Sequence, residues 1–349
     1  TTLFRSGNKE GFVKHFPIGL VAGISPFNFP MNLAAHKIAP ALAAGNPIIL
    51  KPARRTPLST LLLARIVSKT KLPHGALSVL PMDRQAGNQL VTDERFKLLS
   101  FTGSPDVGWK MKQQAGKKRV LLEMGGNAGI VVSASADTAH AVARSLTGAF
   151  AYSGQVCIHA QRIYVQDTIF EAFTQDFVAA AEKLTVGSPQ SPDTEISAMI
   201  DENNARRVEE WVQEATAAGA KVLTGGTRDN CYLAPTVLTQ TDNTMKVCAR
   251  EVFGPVVAVE KFSRFEDAIA QVNNSVYGLQ AGVFTDSVSE MDYAFHRLEV
   301  GGVIINDAPT FRVDHMPYGG VKESGLGREG LKYAIREMTE PKLLVKNRL

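Results

Sequence analysis

Cys157 lies just beyond Gly154, where a segment of small, helix-compatible residues that begins at Gly148 is interrupted. A thiol on a tight and partly open turn can act as a nucleophile, whereas a thiol inside an apolar helix rarely does. Free cysteines are also among the most frequently buried residues. A cysteine considered alone, such as Cys157, is therefore more often part of the core than a nucleophile. The assignment of a nucleophile therefore depends on the rest of the chain.

Two further positions carry residues suited to binding an anion. Phe101-Thr-Gly-Ser104 ends a predicted strand and is followed by Pro105, which suits the first position of a helix. Unpaired amides at a helix start, with the helix dipole behind them, attract an anion. The alternative is an ordinary turn in which Ser104 caps the helix. Lys51 follows another strand, where a cation can hold a ribose hydroxyl or a phosphate, or can simply be a surface lysine.

Alternating strands and helices must position these residues. The apolar run 18–24, bounded by Pro17 and Pro26, is typical of a strand buried on both faces. Further strands are predicted at 47–50, 77–80, 97–101 and 120–123, and helices at 33–44, 58–69, 86–92 and 105–115. This alternation predicts an α/β fold with a parallel sheet and helices on its faces, an architecture of the nucleotide-binding type.

The α/β pattern continues beyond Gly126 and predicts a second domain. A last strand at 341–346 is a natural partner for a strand at 11–16, and such an exposed pair often serves a contact between subunits. The other predicted elements are helices at 136–149, 169–183 and 203–218 and strands at 163–165, 222–223, 256–262, 282–284 and 303–305.

Composition argues against several other classes of protein. The net charge is +4 with both signs mixed, so we expect no nucleic-acid partner and no membrane partner. No apolar run is long enough to span a membrane, and the N-terminus does not resemble a signal peptide. Three scattered cysteines are too few for a disulfide framework and favour a reducing compartment, so we expect a cytoplasmic protein. The cysteines and histidines are not spaced as metal ligands, so we expect no metal site. Because the chain begins with Thr1, we expect a fragment or a processed chain.

One motif is rejected. Gly325-Leu-Gly-Arg-Glu-Gly330 matches the pattern G-x-G-x-x-G, but a dinucleotide fingerprint needs a strand immediately before it. Val-Lys-Glu-Ser precedes this motif, and the nearest predicted strand, at 303–305, lies far upstream. We therefore do not predict a cofactor site there.

Four motifs occur in the order found in one known family. They are Pro26-Phe-Asn-Phe-Pro30, Leu122-Glu-Met-Gly-Gly-Asn127, Gly154-Gln-Val-Cys157 and Glu251-Val-Phe-Gly-Pro-Val256. With Phe-Thr-Gly-Ser and Lys-Pro-Ala, they resemble the aldehyde dehydrogenase superfamily over almost the whole chain, and lactaldehyde-type members most. The resemblance implies an enzyme that oxidises a small aldehyde to a carboxylic acid with NAD or NADP.

The resemblance also implies roles for the catalytic residues. Cys157 would attack the aldehyde as a nucleophile and form a thiohemiacetal, which becomes a thioester after hydride transfer. The amide of Asn28 and the N–H of Cys157 would form an oxyanion hole, where each donor is commonly worth about 3–4 kcal/mol. Glu123 would be the general base that activates water to hydrolyse the thioester. Lys37 and Glu329 match positions associated with proton relay.

Cofactor contacts follow from the same resemblance, with one departure. Many members have glutamate after Lys-Pro-Ala, which favours NAD, whereas this chain has Arg54 followed by Arg55. A guanidinium can pair with a 2′-phosphate, so we expect NADP to be accepted and even preferred. The other implied cofactor contacts are Lys51 and Glu251 with the riboses, Gly103 and Ser104 with the pyrophosphate, and Phe253 near the nicotinamide ring.

Substrate contacts are expected beside these motifs. Arg312 and His315 suggest a polar or anionic small aldehyde. The alternative is that Arg312 pairs with Asp314 or another surface acid. The remaining expected substrate contacts are Phe29, His36, Ile158 and His159.

The resemblance implies a Rossmann-like cofactor domain over 18–123 and a catalytic α/β domain over 124–331. Segments 1–17 and 332–349 would form a small strand pair for oligomerisation, giving a homodimer or homotetramer. Members usually carry a further N-terminal segment, so we expect a truncated chain. Two alternatives stay open: a catalytically impaired or silent structural or binding homologue, and a CoA-acylating enzyme. The CoA-acylating branch typically lacks the glutamate at 123.

Overall fold

The computed structural model describes residues 2–347, which form two compact units. Unit 1 comprises the described chain up to Glu123, Val313–Gly319, and the described chain from Leu326 onward. Unit 2 comprises Met124–Arg312 and Gly320–Gly325. Within residues 2–347, no helix combines the length and the apolar content needed to cross a bilayer.

Unit 1 is built on a parallel sheet whose strands are joined by helices. Strand β3 lies between β4 and β6, and the order is β5-β4-β3-β6-β7, with the two-residue strand β19 (Gly325–Leu326) beside β7. This is the strand order of a Rossmann-type sheet, as predicted. The elements are β1 (Thr2–Ser6), β2 (Lys9–Pro17), β3 (Val21–Ile24), α1 (Asn32–Ala43), β4 (Ile48–Lys51), α2 (Leu58–Val67), β5 (Leu77–Val79), α3 (Arg84–Thr92), β6 (Leu98–Gly103), α4 (Pro105–Gln114) and β7 (Arg119–Met124).

Burial on both faces explains the continuous apolar strands of this sheet. All four residues of β3 are buried, and the strand belongs to one apolar core with β4, β6 and α1. Gly23 allows close packing, because a Cβ there would lie 2.7 Å from a methyl group of Leu50. The predicted strand at 18–24 is too long at its start. It begins at Val21, because Gly19 has a φ of +116°, outside the range of extended strands.

Unit 2 contains a seven-stranded sheet with the order β10-β13-β14-β9-β8-β16-β17. Strand β10 is antiparallel to β13, and the other neighbours are parallel. The elements are β8 (Ala128–Val132), α5 (Thr138–Phe150), a 3₁₀ turn (Ala151–Gly154), β9 (Ala160–Gln166), α6 (Phe170–Ala181), α7 (Glu202–Ala217), β10 (Lys221–Thr224), β11 (Arg228–Asp229), β12 (Tyr232–Leu233), β13 (Thr236–Thr239), α8 (Lys246–Ala249), β14 (Val256–Phe262), α9 (Phe265–Asn273), β15 (Tyr277–Gly278), β16 (Gln280–Phe284), α10 (Val288–Arg297), β17 (Gly302–Ile305) and β18 (Val321–Lys322).

The chain returns to unit 1 at Leu326, within β19 (Gly325–Leu326). Its last elements are α11 (Leu331–Glu337) and β20 (Thr339–Asn347). Strand β20 pairs antiparallel with β2 along its whole length, from Lys9 opposite Asn347 to Pro17 opposite Thr339. The predicted pairing of the first and last segments is confirmed, and β1 extends the pair to a three-stranded sheet.

The rejected glycine motif spans β19 and the turn before α11. A Cβ at Gly327 would lie 2.5 Å from Leu121, and one at Gly330 would lie 2.2 Å from the carbonyl oxygen of Met316. Both glycines also have positive φ angles. Packing within unit 1 therefore accounts for these glycines without a cofactor.

Candidate active site

The loops after β3 and β6 meet the usual criterion for a ligand site in unit 1. These two strands are neighbours at the centre of the sheet, and the chain leaves them toward opposite edges. Ligands of open α/β sheets bind at the carboxyl end of such a switch point. The loop after β3 carries Asn28, which is 8% exposed, and the half-buried Phe29. Strand β6 ends at Gly103, and Ser104 follows.

Ser104 is the N-cap residue of α4, but its side chain makes no capping hydrogen bond. Its backbone is extended, Pro105 occupies the first helical turn, and the side chain is exposed. The alternative of an ordinary capped turn is therefore not supported. A Cβ at Gly103 would lie 2.5 Å from the ring of Phe101, so the backbone packs closely there. These features fit a pyrophosphate, which would accept from the helix amides and the hydroxyl.

Lys51 ends β4 and lies over α3. Its side-chain carbons would come within 3.2 Å of a Cβ at Gly87, so the missing side chain makes room for the lysine. Burial lowers the pKa of Lys51, and the nearby charge of Arg84 lowers it further, partly opposed by Asp83. Lys51 and Arg84 thus place two positive charges near the sheet edge, with the carboxylate of Asp83 close to Lys51. Arg54 is exposed in the turn after Lys51.

Glu123 lies in β7 with 3% of its surface exposed. The hydroxyl of Tyr318, itself 3% exposed, donates to Glu123 Oε1 across 3.4 Å. Sequence reasoning missed Tyr318, which stands in a long segment without regular structure. The backbone fixes its position, because the amide of Tyr318 donates to the carbonyl of Glu329 and the amide of Glu329 donates to the carbonyl of Tyr318.

Lys37 and Glu329, which the resemblance linked to proton relay, lie together in unit 1. Lys37 is fully buried on α1, and its Nζ lies 3.4 Å from Glu329 Oε1. The same ammonium donates to Thr102 Oγ1 at 2.7 Å and to Ser100 Oγ at 3.3 Å, both on β6. A buried ammonium needs such partners, because its transfer from water without them is costly.

His36 contacts two carboxylates. Its Nδ1 lies 3.5 Å from Glu329 Oε2, and its Nε2 lies 3.2 Å from Asp314 Oδ1. Asp314, which the sequence offered as a partner for Arg312, thus faces His36. His315 is exposed beside Asp314.

In unit 2, an unusual turn precedes Cys157. Tyr152 and Ser153 have φ angles of 59° and 55°, and Gly154 follows with 67°. Two consecutive non-glycine residues in the left-handed region are strained. Ser153 Oγ holds the turn by donating to the carbonyl of Ser197 at 2.8 Å and accepting from its amide at 3.0 Å. Beyond this turn Cys157 is half-buried.

Gly125 and Gly126 bring Cys157 and Glu251 to one place. A Cβ at Gly126 would lie 2.8 Å from the carbonyl oxygen of Cys157, and one at Gly125 would lie 2.0 Å from Glu251 Oε2. The amide of Gly126 donates to Glu251 Oε1 at 3.1 Å. Phe253, two residues farther on, has a φ of 49° and is half-buried.

Buried amides hold the segment that carries Glu251. Gln161 Nε2 donates to the carbonyls of Val247 and Arg250, and its Oε1 accepts from the amide of Val252. Asn127 Nδ2 donates to the carbonyl of Cys248 at 2.7 Å. These bonds fix both sides of the segment, so the orientation of Glu251 depends on residues of β9 and on the residue before β8.

Two expected substrate contacts, Ile158 and His159, lie in the interior of unit 2, with 4% and 2% of their surfaces exposed. The ring nitrogen Nε2 of His159 bonds the carbonyl of Ala149 at 2.8 Å. Burial lowers the pKa of His159 to about 4, so the ring is neutral. The His159 ring therefore contacts α5 and is not among the proposed substrate contacts. Arg312 is half-buried at the end of the long segment of unit 2.

All three cysteines are free thiols. Burial raises the pKa of the Cys248 thiol, which makes it a poor nucleophile. In the part of the chain that the structure describes, no three His, Cys, Asp or Glu side chains are grouped so as to hold a metal ion.

Comparison with known proteins gives a consistent result. A family model described as the aldehyde dehydrogenase family matches residues 1–344. The 3-sulfolactaldehyde dehydrogenase of Priestia aryabhattai is 47% identical over 343 residues, which cover 98% of this chain and 72% of the relative. The lactaldehyde dehydrogenase of Methanococcus aeolicus is 41% identical over 339 residues, covering 96% of this chain and 73% of the relative.

Solved structures show the same similarity. Aldehyde dehydrogenase 21 from Physcomitrella patens, in complex with the reaction product succinate, has a TM-score of 0.97 and 48% identity, covering 98% of this chain and 72% of that one. Glyceraldehyde-3-phosphate dehydrogenase from Methanocaldococcus jannaschii, complexed with NADP, has a TM-score of 0.96 and 39% identity, covering 99% and 76%. Betaine aldehyde dehydrogenase from Staphylococcus aureus, in complex with NAD⁺, has a TM-score of 0.95 and 31% identity, covering 99% and 71%.

Proposed function

The chain belongs to the aldehyde dehydrogenase family, and we propose that it oxidises a small anionic aldehyde to its carboxylic acid with Cys157 as the nucleophile. The activity class, NAD(P)-dependent oxidation of an aldehyde, is confirmed as the motifs predicted. The alternatives of a silent homologue and of a CoA-acylating enzyme are not favoured.

The observation that carries the assignment of Cys157 is the strained turn before it. Consecutive non-glycine residues with left-handed backbone angles, such as Tyr152 and Ser153, lower the stability of the fold. Such strained residues persist where surrounding hydrogen bonds hold them, and they are common at functional sites. The turn leaves Cys157 half-buried, with its backbone close to Gly126. Cys248 is buried with a raised pKa, and it therefore does not compete for this role.

In the proposed reaction the chain supplies a nucleophile, an oxyanion donor and a base. Cys157 Sγ bonds the aldehyde carbon, and the amide of Asn28 stabilises the oxygen as negative charge develops. After oxidation, Glu123 removes a proton from water, whose oxygen attacks the thioester carbon, and the carbon–sulfur bond breaks. Tyr318 orients Glu123 by donating to one of its oxygens.

Several residues would hold the cofactor. In unit 1, the α4 amides and Ser104 fit the pyrophosphate, and Lys51 fits a ribose hydroxyl or phosphate. In unit 2, Glu251 fits a ribose hydroxyl, with its carboxylate oriented by the amide of Gly126. A nicotinamide held there would supply the hydride acceptor for the carbon bonded to Cys157.

Alanine replacement of Cys157 tests the central assignment. We expect Cys157→Ala to lose aldehyde-dependent reduction of NAD⁺ and NADP⁺, because no other thiol is placed on this turn. Cys231→Ala is the matched control, since Cys231 is a partly exposed thiol of the same unit. Retained activity in Cys157→Ala, or loss in Cys231→Ala alone, would refute the assignment.

We propose NADP as the preferred cofactor. Support comes from the positive charges of Lys51 and Arg84 and from Arg54 in the adjacent exposed turn. Replacement of Arg54 by glutamate is expected to lower kcat/KM for NADP about tenfold or more, with a smaller change for NAD. Lys71→Glu, an exposed charge reversal in the same unit, controls for net charge. A wild-type preference for NAD would contradict this proposal.

The proposed substrate carries an anionic group near the aldehyde. Relatives named for sulfolactaldehyde and for lactaldehyde oxidation, and one solved with succinate, support a short polar chain. Arg312 and His315 are the residues of this chain proposed to meet the anion, with Phe29 on the apolar side. A panel of 3-sulfolactaldehyde, lactaldehyde, succinic semialdehyde and propanal should give the highest kcat/KM with an anionic member. Propanal as the best substrate would contradict the proposal.

We also propose a homo-oligomer in the cytoplasm. The edge strand β20 exposes Leu343, Leu344 and Val345, with 53%, 55% and 45% of their surfaces accessible. Apolar residues on an unpaired edge favour association with a second copy. Light scattering should give a dimer or tetramer for the wild type, and Leu344→Glu should shift it toward the monomer. The three free thiols support a reducing location.

A further inference from the structure

The proposed reaction releases protons from a buried position. Oxidation of an aldehyde by NAD(P)⁺ and water gives a carboxylate, reduced cofactor and two protons. One proton passes from the attacking water to Glu123, which is 3% exposed. Every turnover must therefore move this proton to solvent before Glu123 can act again, a requirement that rests on the proposed function.

A small cavity adjoins Glu123 in unit 1. Its volume is about 10 Å³, close to the minimum that accommodates one water molecule. Ser100, Glu123, Tyr318 and Glu329 contribute to its lining. The hydroxyl of Tyr318 also contacts Glu123 directly at 3.4 Å. One water in this cavity would connect the two carboxyl groups by hydrogen bonds.

From Glu329 the polar contacts continue outward through His36 to Asp314. Glu329 Oε1 faces Lys37, at 3.4 Å, whereas Oε2 lies 3.5 Å from His36 Nδ1. The other ring nitrogen of His36 lies 3.2 Å from Asp314 Oδ1. The exposed fraction of the side chain rises from 10% for Glu329 to 13% for His36 and 80% for Asp314.

We propose that His36 and Asp314 form the solvent end of a proton path that starts at Glu123. The proton passes from Glu123 through the water-sized cavity to Glu329, reaches one ring nitrogen of His36, and leaves from the other through Asp314. Imidazole suits this step, because it can bind a proton at one nitrogen while releasing one at the other.

The surrounding groups support this assignment. Lys37 orients Glu329 from the buried side and is itself held by Thr102. The amide of Leu331 donates to the carbonyl of Asp314 at 3.2 Å, which fixes the outer residue against the start of α11. The charged groups facing His36 in unit 1 include the carboxylates of Glu329 and Asp314, and the Lys37 ammonium contacts Glu329 through its other carboxylate oxygen. His36 is a positioning and relay residue, distinct from the nucleophile and from the base that activates water.

The experiment isolates hydrolysis of the acyl-enzyme from cofactor chemistry. An activated ester such as p-nitrophenyl acetate acylates a nucleophilic thiol, and release of nitrophenol reports that step. Loss of the acetyl group from Cys157, followed by quenching and mass spectrometry, reports hydrolysis. His36→Gln keeps polar contacts without a titratable group, and Asp314→Asn replaces the outer carboxylate by an amide that cannot take up a proton. His74→Gln replaces an exposed histidine of the same unit as a control.

We expect His36→Gln to slow hydrolysis about tenfold or more while acylation stays unchanged, since proton transfer commonly contributes factors of this size or larger. The slowed rate should rise with phosphate buffer concentration, because buffer replaces the lost carrier. Asp314→Asn should show a smaller effect of the same kind, and wild type and His74→Gln should be insensitive to buffer.

Three outcomes would overturn the proposal. Hydrolysis in His36→Gln at the wild-type rate would exclude the path, and slowed hydrolysis without dependence on buffer would indicate a structural effect. A higher KM for the aldehyde with unchanged kcat would instead assign His36 to substrate binding, which also overturns it. Failure of the wild type to form an acyl adduct on Cys157 would be a failure of the proposed nucleophile, which this design separates from failure of the relay.

Discussion

Acidification should destabilise unit 2 through His159. The side chain is 2% exposed, and burial lowers its pKa from 6.5 to about 4. Below pH 6.5 the unfolded chain binds a proton at His159 that the folded chain does not. The free energy of unfolding therefore decreases as the pH is lowered, until both forms are protonated below about pH 4. Between about pH 7.5 and about pH 5, this linkage amounts to ~2 kcal/mol of unfolding free energy.

Urea unfolding followed by fluorescence can measure this linkage. Trp211 lies on α7 of unit 2, so a Trp109→Phe background leaves a single probe in that unit. His159→Asn will be less stable at both pH values, because it disturbs a packed site. The informative quantity is the decrease in unfolding free energy between the two pH values. It is measured in the Trp109→Phe protein and compared with the same decrease after His159→Asn is added. A difference near zero would refute the argument, and His74→Asn should behave like the parent.

Three further substitutions test the site. Ser104→Ala should change the unfolding free energy by less than about 0.5 kcal/mol, because no capping hydrogen bond is lost. The KM for the cofactor should rise. A large loss of stability would contradict the observed geometry of Ser104. Gly125→Ala places a Cβ 2.0 Å from Glu251 and should raise KM for the cofactor in steady-state kinetics. Gly126→Ala instead crowds the carbonyl of Cys157 and should slow alkylation of the Cys157 thiol by iodoacetamide. If Gly125→Ala and Gly126→Ala had equal effects on cofactor KM and on alkylation, the two glycines would not have separate roles.

The sequence predicts the first sheet well because each of its strands is a short apolar run bounded by turn residues. Prediction is weaker in unit 2. Strand β8 was not predicted, because only Gly125, Gly126 and Asn127 separate it from β7. Helices α9 and α10, of nine and ten residues, also lie outside the predictions. Strand β1 is missed because its short sequence is mostly polar.

Motifs locate Cys157, Glu123 and Asn28, but they do not identify the residues that support them. Tyr318 reaches Glu123 from a region where no periodic pattern exists, so its role depends on tertiary structure. The contact between His36 and Asp314 joins residues far apart in sequence, and neither motif nor spacing could indicate it. Proximity in sequence can also mislead. His159 was expected to contact the substrate because it lies close to Cys157 in the chain, but its side chain is buried.

The strained turn before Cys157 makes the protein vulnerable to proteases at a distant point. Ser153 is bound to Ser197, and Gln155 accepts from the amide of Ile200 at 2.9 Å, so segment 197–200 restrains the turn. That segment follows an exposed stretch at 188–193. A single cleavage there would free one end of the restraint, and the turn could relax toward ordinary backbone angles. We expect limited proteolysis to abolish activity while circular dichroism stays nearly unchanged; full activity of the nicked protein would show that the restraint is unnecessary.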